Sequence, residues 1–248
     1  MGDERSDGLV DLLSSSFGIR HVFHATPLHY LPFIARARCL LARPKLQAHG
    51  YQRSHFRSTS HSSDVARGFG DRVFLSMASA MPLLQSKLGR GFPHIRLDIP
   101  LSALERTEFD LCRYNVAKNR SNLRHQLTFD ISDGQANGRY YPGKQLPVAR
   151  SFAEKKVMLR GHGTKRIEVQ VKDVVSLPNG VTVTCFSQAD QVLADQIVGK
   201  CDCHWKTMLE VGNYPRSERF GKQVETFCRR ALSEPDWKGD GLEFDYFP

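Results

Sequence analysis

Val22-Phe23-His24-Ala25-Thr26 is an apolar run that ends on an imidazole and a hydroxyl two positions apart. Far along the chain, Arg166-Ile167-Glu168-Val169-Gln170-Val171 is a strand-like run with one carboxylate at its centre. Residues i and i+2 of a strand share a face, so the spacing predicts that His24 and Thr26 point together into one cleft. The same rule packs Ile167, Val169 and Val171 on one face and delivers Glu168 to the other. A hydrogen-bonding pair on one strand and a lone acid on another suit the holding of a dinucleotide and attack on its glycosidic bond.

These residues need elements to position them. A short helix is expected around Leu9–Leu13 and a strand over 20–25. Leu28, Leu31, Ile34, Ala35 and Cys39 then recur at helical spacing, with Pro27 suited to the first turn. Residues 44–71 are polar and hold few core residues, which marks a long functional or disordered loop closed by the turn at Gly68–Asp71. A strand follows at 72–76 and a helix over 78–88, and Ile95, Leu97 and Ile99 alternate along a strand over 94–99. Strands return at 166–171 and 181–186 around a Leu177–Gly180 turn, and helices are expected at 187–199 and about 216–232.

The chain has 248 residues, of which 40% are hydrophobic, enough for a sizeable core. We expect a first unit over 1–186 and a helical C-terminal extension over 187–248 packed on it, without a clean linker between them. No apolar stretch reaches the roughly 18 residues of a membrane span, so no membrane partner is expected. The polar N-terminus lacks the layout of a secretion signal. Six scattered cysteines form no CxxC pair, and Cys201-Asp202-Cys203-His204 is too tightly spaced for the usual zinc arrangements. Free thiols in a reducing cytoplasm are the expectation, with no metal.

A formal net charge of +9 and a pI near 9.4 favour polyanions, nucleic acid among them. Residues 105–150 interleave Arg113, Lys118, Arg120, Arg124, Arg139, Lys144 and Arg150 with Tyr114, Phe129, Tyr140 and Tyr141. Cations for phosphates and aromatic rings for bases are the two ingredients of single-strand binding. No glycine-rich dinucleotide fingerprint is present, which disfavours a Rossmann dehydrogenase.

In this order the segments resemble the DarT-type family of DNA ADP-ribosyltransferase toxins, over roughly residues 20–175. His24-Ala25-Thr26 matches the family's His-x-Thr strand end, and Leu28, Leu31 and Ile34 its following helix. Gly70-Asp71-Arg72-Val73-Phe74-Leu75-Ser76 resembles the next strand, and Ser79-Ala80-Met81-Pro82-Leu83-Leu84 the next helix start. Glu168-Val169-Gln170-Val171 fits the family's Glu-Val-Leu-Val strand.

The resemblance implies an α+β fold with an ADP-ribosyltransferase-like split-sheet core, surrounding helices and a cleft between two small sheets. It implies NAD as co-substrate and transfer of ADP-ribose to a base of single-stranded DNA or RNA. An antitoxin protein is the implied restraining partner. Breaking the nicotinamide–ribose bond passes through an oxocarbenium-like state. Nicotinamide leaves as a neutral molecule, so the protein supplies an anion and a rigid pocket rather than an acid. The resemblance gives Glu168 that catalytic role. It places His24 and Thr26 on the cofactor, and Phe74 and Ser76 along the nicotinamide pocket, with Tyr51 or Phe56 as stacking lids. Arg57, with Arg53 in reserve, is the implied arginine that grips phosphates or the target base, since a guanidinium matches phosphate bidentately. The competing readings are an RNA 2′-phosphotransferase or NAD hydrolase on a related scaffold, and a non-catalytic nucleic-acid-binding module.

Overall fold

The structure is a computed structural model that describes residues 4–51, 69–79, 81–113, 126–128, 139–141, 148–162, 167–212 and 214–239. In chain order its elements are α1 (Glu4–Phe17), β1 (His21–Pro27), a 3-10 turn (Leu28–Tyr30), α2 (Leu31–Ala37), β2 (Cys39–Leu41) and α3 (Arg43–Ala48). Next come β3 (Arg72–Ser76), α4 (Pro82–Leu88), β4 (His94–Pro100), a second 3-10 turn (Leu101–Leu104) and β5 (Phe109–Arg113). Then follow β6 (Gln126–Thr128), β7 (Arg139–Tyr141), β8 (Val148–Ala149), α5 (Phe152–His162) and β9 (Ile167–Lys172). The chain continues through β10 (Val174–Ser176), β11 (Thr182–Cys185), α6 (Gln188–Lys200), β12 (Lys206–Leu209) and α7 (Glu218–Ser233).

Eight strands form one sheet in the order β12-β11-β4-β1-β3-β9-β5-β8. Its halves are joined unequally. β1 matches β4 from His21↔Pro100 to Pro27↔His94, and β3 matches β9 from Arg72↔Lys172 to Ser76↔Glu168. Between β1 and β3 the ladder is a single pair, Phe23↔Ser76. The architecture is therefore mixed α+β with a split sheet: two four-stranded halves that touch at one rung and part beyond it.

Period-2 alternation decides what each face carries. Val22, Val73, Leu75, Ile95, Leu97, Ile99, Leu111, Val169, Val171 and Val183 belong to the main core cluster, together with Leu9 and Leu13 of α1, Leu31 of α2 and Ile197 of α6. The alternate positions carry the other face: Phe23, Phe74, Ser76, Arg96, Asp98, Asp110, Cys112, Glu168 and Gln170. This second face is where polar chemistry collects.

The apolar run after β1 is not one helix. A 3-10 turn comes first, α2 follows with Pro32 in its first turn, and Arg38 takes a left-handed backbone conformation at φ 49° that stops it. Cys39 therefore begins a strand, opposite Ser176 of β10. The helix expected from 78 begins only at Pro82. Residues after 187 include the two expected helices and also β12, which lies parallel to β11 at the sheet edge. Ser187 caps α6 by accepting from the Asp190 N–H, and Ser217 caps α7 by accepting from Phe220 N–H. Val224, Phe227, Cys228 and Ala231 form the buried stripe of α7, and Arg36 of α2 donates to the Ala231 and Pro235 carbonyls at its end. Among the described residues, no helix is long and apolar enough to cross a membrane.

Candidate active site at the split of the sheet

One register row crosses the whole sheet at the split. It runs Lys206, Thr182, Asp98, Phe23, Ser76, Glu168, Cys112 and Val148. Residues directly opposite in a ladder point to the same face, so Ser76, Glu168 and Phe23 emerge side by side. Adjacent strands lie about 4.8 Å apart, which puts the backbones of Phe23 and Glu168 roughly 10 Å from each other. Glu168 is half-buried, and the Gln170 amide donates to its Oε1 at 3.1 Å.

His24 sits one residue past the joining rung, where β1 and β3 separate, and alternation sets it and Thr26 with Val22, opposite Leu97 and Ile95, on the face away from Phe23 and Glu168. Its Nδ1 lies 3.0 Å from the Phe74 carbonyl oxygen, so the ring bridges the gap that a ladder hydrogen bond would otherwise fill. Burial lowers its pKa below the ordinary imidazole value, and the bond to Phe74 only partly offsets this. The ring is thus neutral near pH 7. If Nδ1 donates to the carbonyl, Nε2 is the acceptor. Thr26, two residues on, is buried at 6% exposure.

Phe74 lies on β3 and packs with Phe69, Cys112 and Val148 beside the acid strand. The Ser76 hydroxyl closes a local turn: it accepts from Ala78 N–H at 3.1 Å and donates to the Ala78 carbonyl at 3.0 Å. Its first task is therefore to shape the chain as it leaves β3. Tyr51 is committed elsewhere, edge-on to Phe33 with ring centroids 5.2 Å apart, in the cluster of Phe227 and Trp237. Arg53, Phe56 and Arg57 lie outside the described residues, as does most of the basic and aromatic stretch between 114 and 147.

On the other half of the sheet, the polar face is organised by a residue that motif reading overlooks. Arg96 of β4 is 5% exposed. Its Nε and Nη2 grip both oxygens of Asp98 at 2.6 and 3.0 Å, and Nη1 meets Glu210 at 2.8 Å. Thr184 of β11 donates to Asp98 at 3.1 Å. The guanidinium lies 5.3 Å from the centre of the Phe23 ring, against the residue that makes the joining rung. Burial alone would lower the Arg96 pKa, but Asp98 and Glu210 more than reverse that and hold it up. Ser79, Met81, Arg96, Phe186, Glu210 and Tyr214 line an open pocket here. Ala25, the middle residue of the His-x-Thr segment, packs on the adjoining Leu84, Leu88 and Phe186 cluster. The sequence signal was present: if Ile95, Leu97 and Ile99 face the core, Arg96 and Asp98 must share the other face.

Several charges that looked available for a polyanion are paired. On and beside α7, Arg216 bonds Asp190, and Lys222, Arg229 and Arg230 bond Glu218, Glu225 and Glu234. Cys203 donates to the Ala35 carbonyl at 3.0 Å, and no group of three metal-ligating side chains occurs among the described residues.

No protein-family model matches the sequence, and no curated protein does. Solved structures do resemble the fold. DarT from Thermus sp. 2.9 in complex with ADP-ribosylated ssDNA aligns at a TM-score of 0.49 and 12% identity, over 79% of this chain and 95% of that one. The same protein in complex with NAD+ aligns at 0.46, with 12% identity over 78% and 96%. Its complex with carba-NAD+ aligns at 0.47, with 12% identity over 77% and 95%. The likeness is one of overall arrangement and assigns no side chain.

Proposed function

We propose that the chain is an NAD-dependent ADP-ribosyltransferase that modifies a base of nucleic acid. The observation that carries this reading is the rung Phe23–Ser76–Glu168 at the split, with His24 bonded across the opening beside it. A half-buried carboxylate next to a gap between strands meets the need of an oxocarbenium-like transition state for a fixed anion. The His24 ring, neutral and bonded across the gap from the other face of β1, can meet ribose hydroxyls at the edge of that gap without adding charge that would oppose that state. Glu168 stabilises the developing cation and accepts from a ribose hydroxyl. His24 and Thr26 hold the cofactor, and Arg57 or Arg53 grips its phosphates. The +9 net charge supports a polyanionic acceptor. Damage to a cell's own nucleic acid calls for restraint, so a partner that inhibits the enzyme or removes the mark belongs to the same reading.

The test is to incubate the purified chain with NAD and single-stranded DNA or RNA oligonucleotides of defined sequence, then weigh the products by mass spectrometry. The expected product carries one ADP-ribose per modified base, and Glu168→Ala gives none. Labelling of protein alone would remove the nucleic acid from the proposal.

A further inference from the structure

Gln170 is fully buried, at 0% exposure, on the strand that carries the acid. A primary amide in such a place needs partners for two donors and one acceptor. Among the described residues, Nε2 donates to Glu168 Oε1 at 3.1 Å. Its amide oxygen meets no donor among the described residues. Burial with the amide oxygen unmet disfavours the folded state, and a hydrocarbon side chain of similar size would serve packing better. Stability therefore does not account for this residue.

The surroundings hold it still. Its register partners are Phe74 on β3 and Asp110 on β5. Arg72 of β3 reaches Asp110 of β5 at 3.2 Å, which ties together the two strands that flank β9. A glutamate carboxyl turns about a soft terminal torsion, and a donor fixed on one oxygen removes that freedom. We infer that Gln170 is a positioning residue: it orients the Glu168 carboxylate toward the opening between β1 and β3 and acts on the reaction only through that acid. This rests on the function proposed above.

The experiment compares the wild-type chain with Gln170→Met and Gln170→Leu in NAD cleavage and in thermal melting. Both variants keep the volume and remove the donor. The expected result is a melting temperature equal to or above that of the wild type, an unchanged KM for NAD, and a kcat lower by about 10- to 100-fold, the worth of one hydrogen bond to a charged group. An unchanged kcat in the folded variants overturns the inference alone. So does a rise in KM at constant kcat, or the failure of both variants to fold, because each marks a packing or binding role. Absence of NAD cleavage by the wild type overturns the proposed function, and the inference with it.

Discussion

Ser76 is the register partner of Glu168 on one side and of Phe23 on the other, so the acid stands on the strand next to the one rung that joins the halves of the sheet among the described residues. The strand that bears the acid is held by ladders on both flanks, to β3 and to β5. The gap lies between β1 and β3, and the acid beside it sits on a strand that is paired on both sides.

Glu168→Gln keeps the shape and the bond from Gln170 while removing the anion. We expect melting within about 0.5 kcal/mol of the wild type and a loss of NAD cleavage of about 100- to 1,000-fold, the scale of one lost transition-state electrostatic contact. Single-turnover cleavage and a denaturant titration on the same preparation check both halves. Wild-type turnover in this variant would remove the acid from the mechanism.

His24 satisfies the Phe74 carbonyl in the gap. Alanine there leaves that part-buried carbonyl unpaired, at a cost of about 1–3 kcal/mol at most. On the proposed function it also removes a ring that holds NAD, so the KM for NAD should rise. His24→Asn retains a donor on a shorter arm and should recover more stability than NAD affinity. Calorimetric titration with a non-cleavable NAD analogue, beside urea melts, separates the two effects.

Arg96 joins Asp98, Glu210 and the Phe23 ring. Arg96→Met strands the largely buried Asp98 carboxylate and should destabilise the fold by about 3–5 kcal/mol. Glu210 is half-exposed, and Glu210→Gln should cost less than about 1 kcal/mol. If the two substitutions cost the same, the pair does not work as a buried anchor. Urea titration of both variants measures the difference.

The polar seam was legible because alternation is a local rule. Glu168 opposite its apolar neighbours, and Arg96 and Asp98 opposite Ile95 and Leu97, follow from period 2 alone. Pairing was not legible, because no local signal states that Phe23 meets Ser76 and that the ladder stops there. The helix over 152–162 carried an overlooked signature. Glu154 accepts from the Arg150 and Ser151 N–H groups while Ser151 accepts from Glu154, a capping box written as Ser-x-x-Glu. The stop at Arg38 was hidden because a left-handed arginine is held by its surroundings, here by its guanidinium on the Asp202 carbonyl. β12 was missed because Lys206-Thr207-Met208-Leu209 has only weak alternation, and its pairing with β11 lies outside any local window.

His94 gives the fold a pH dependence that is separate from catalysis. It begins β4 opposite Pro27, is almost fully buried, and its Nδ1 lies 3.3 Å from the Phe92 carbonyl. Burial lowers its pKa to about 4, the Phe92 bond works against that, and Lys87 adds to it. In the unfolded chain the same ring titrates near 6.5. Between those values the unfolded state binds the extra proton, so stability is full above about pH 6.5 and falls as the pH drops toward 4. One such group accounts for roughly 3 kcal/mol across that window. His94→Gln removes the titrating ring and should flatten the fall, by about 2 kcal/mol at pH 5, while lowering stability at pH 7.5 only through altered packing. Urea melts of both proteins at pH 7.5, 6 and 5 test this, and parallel curves would show that the ring charges without unfolding the strand.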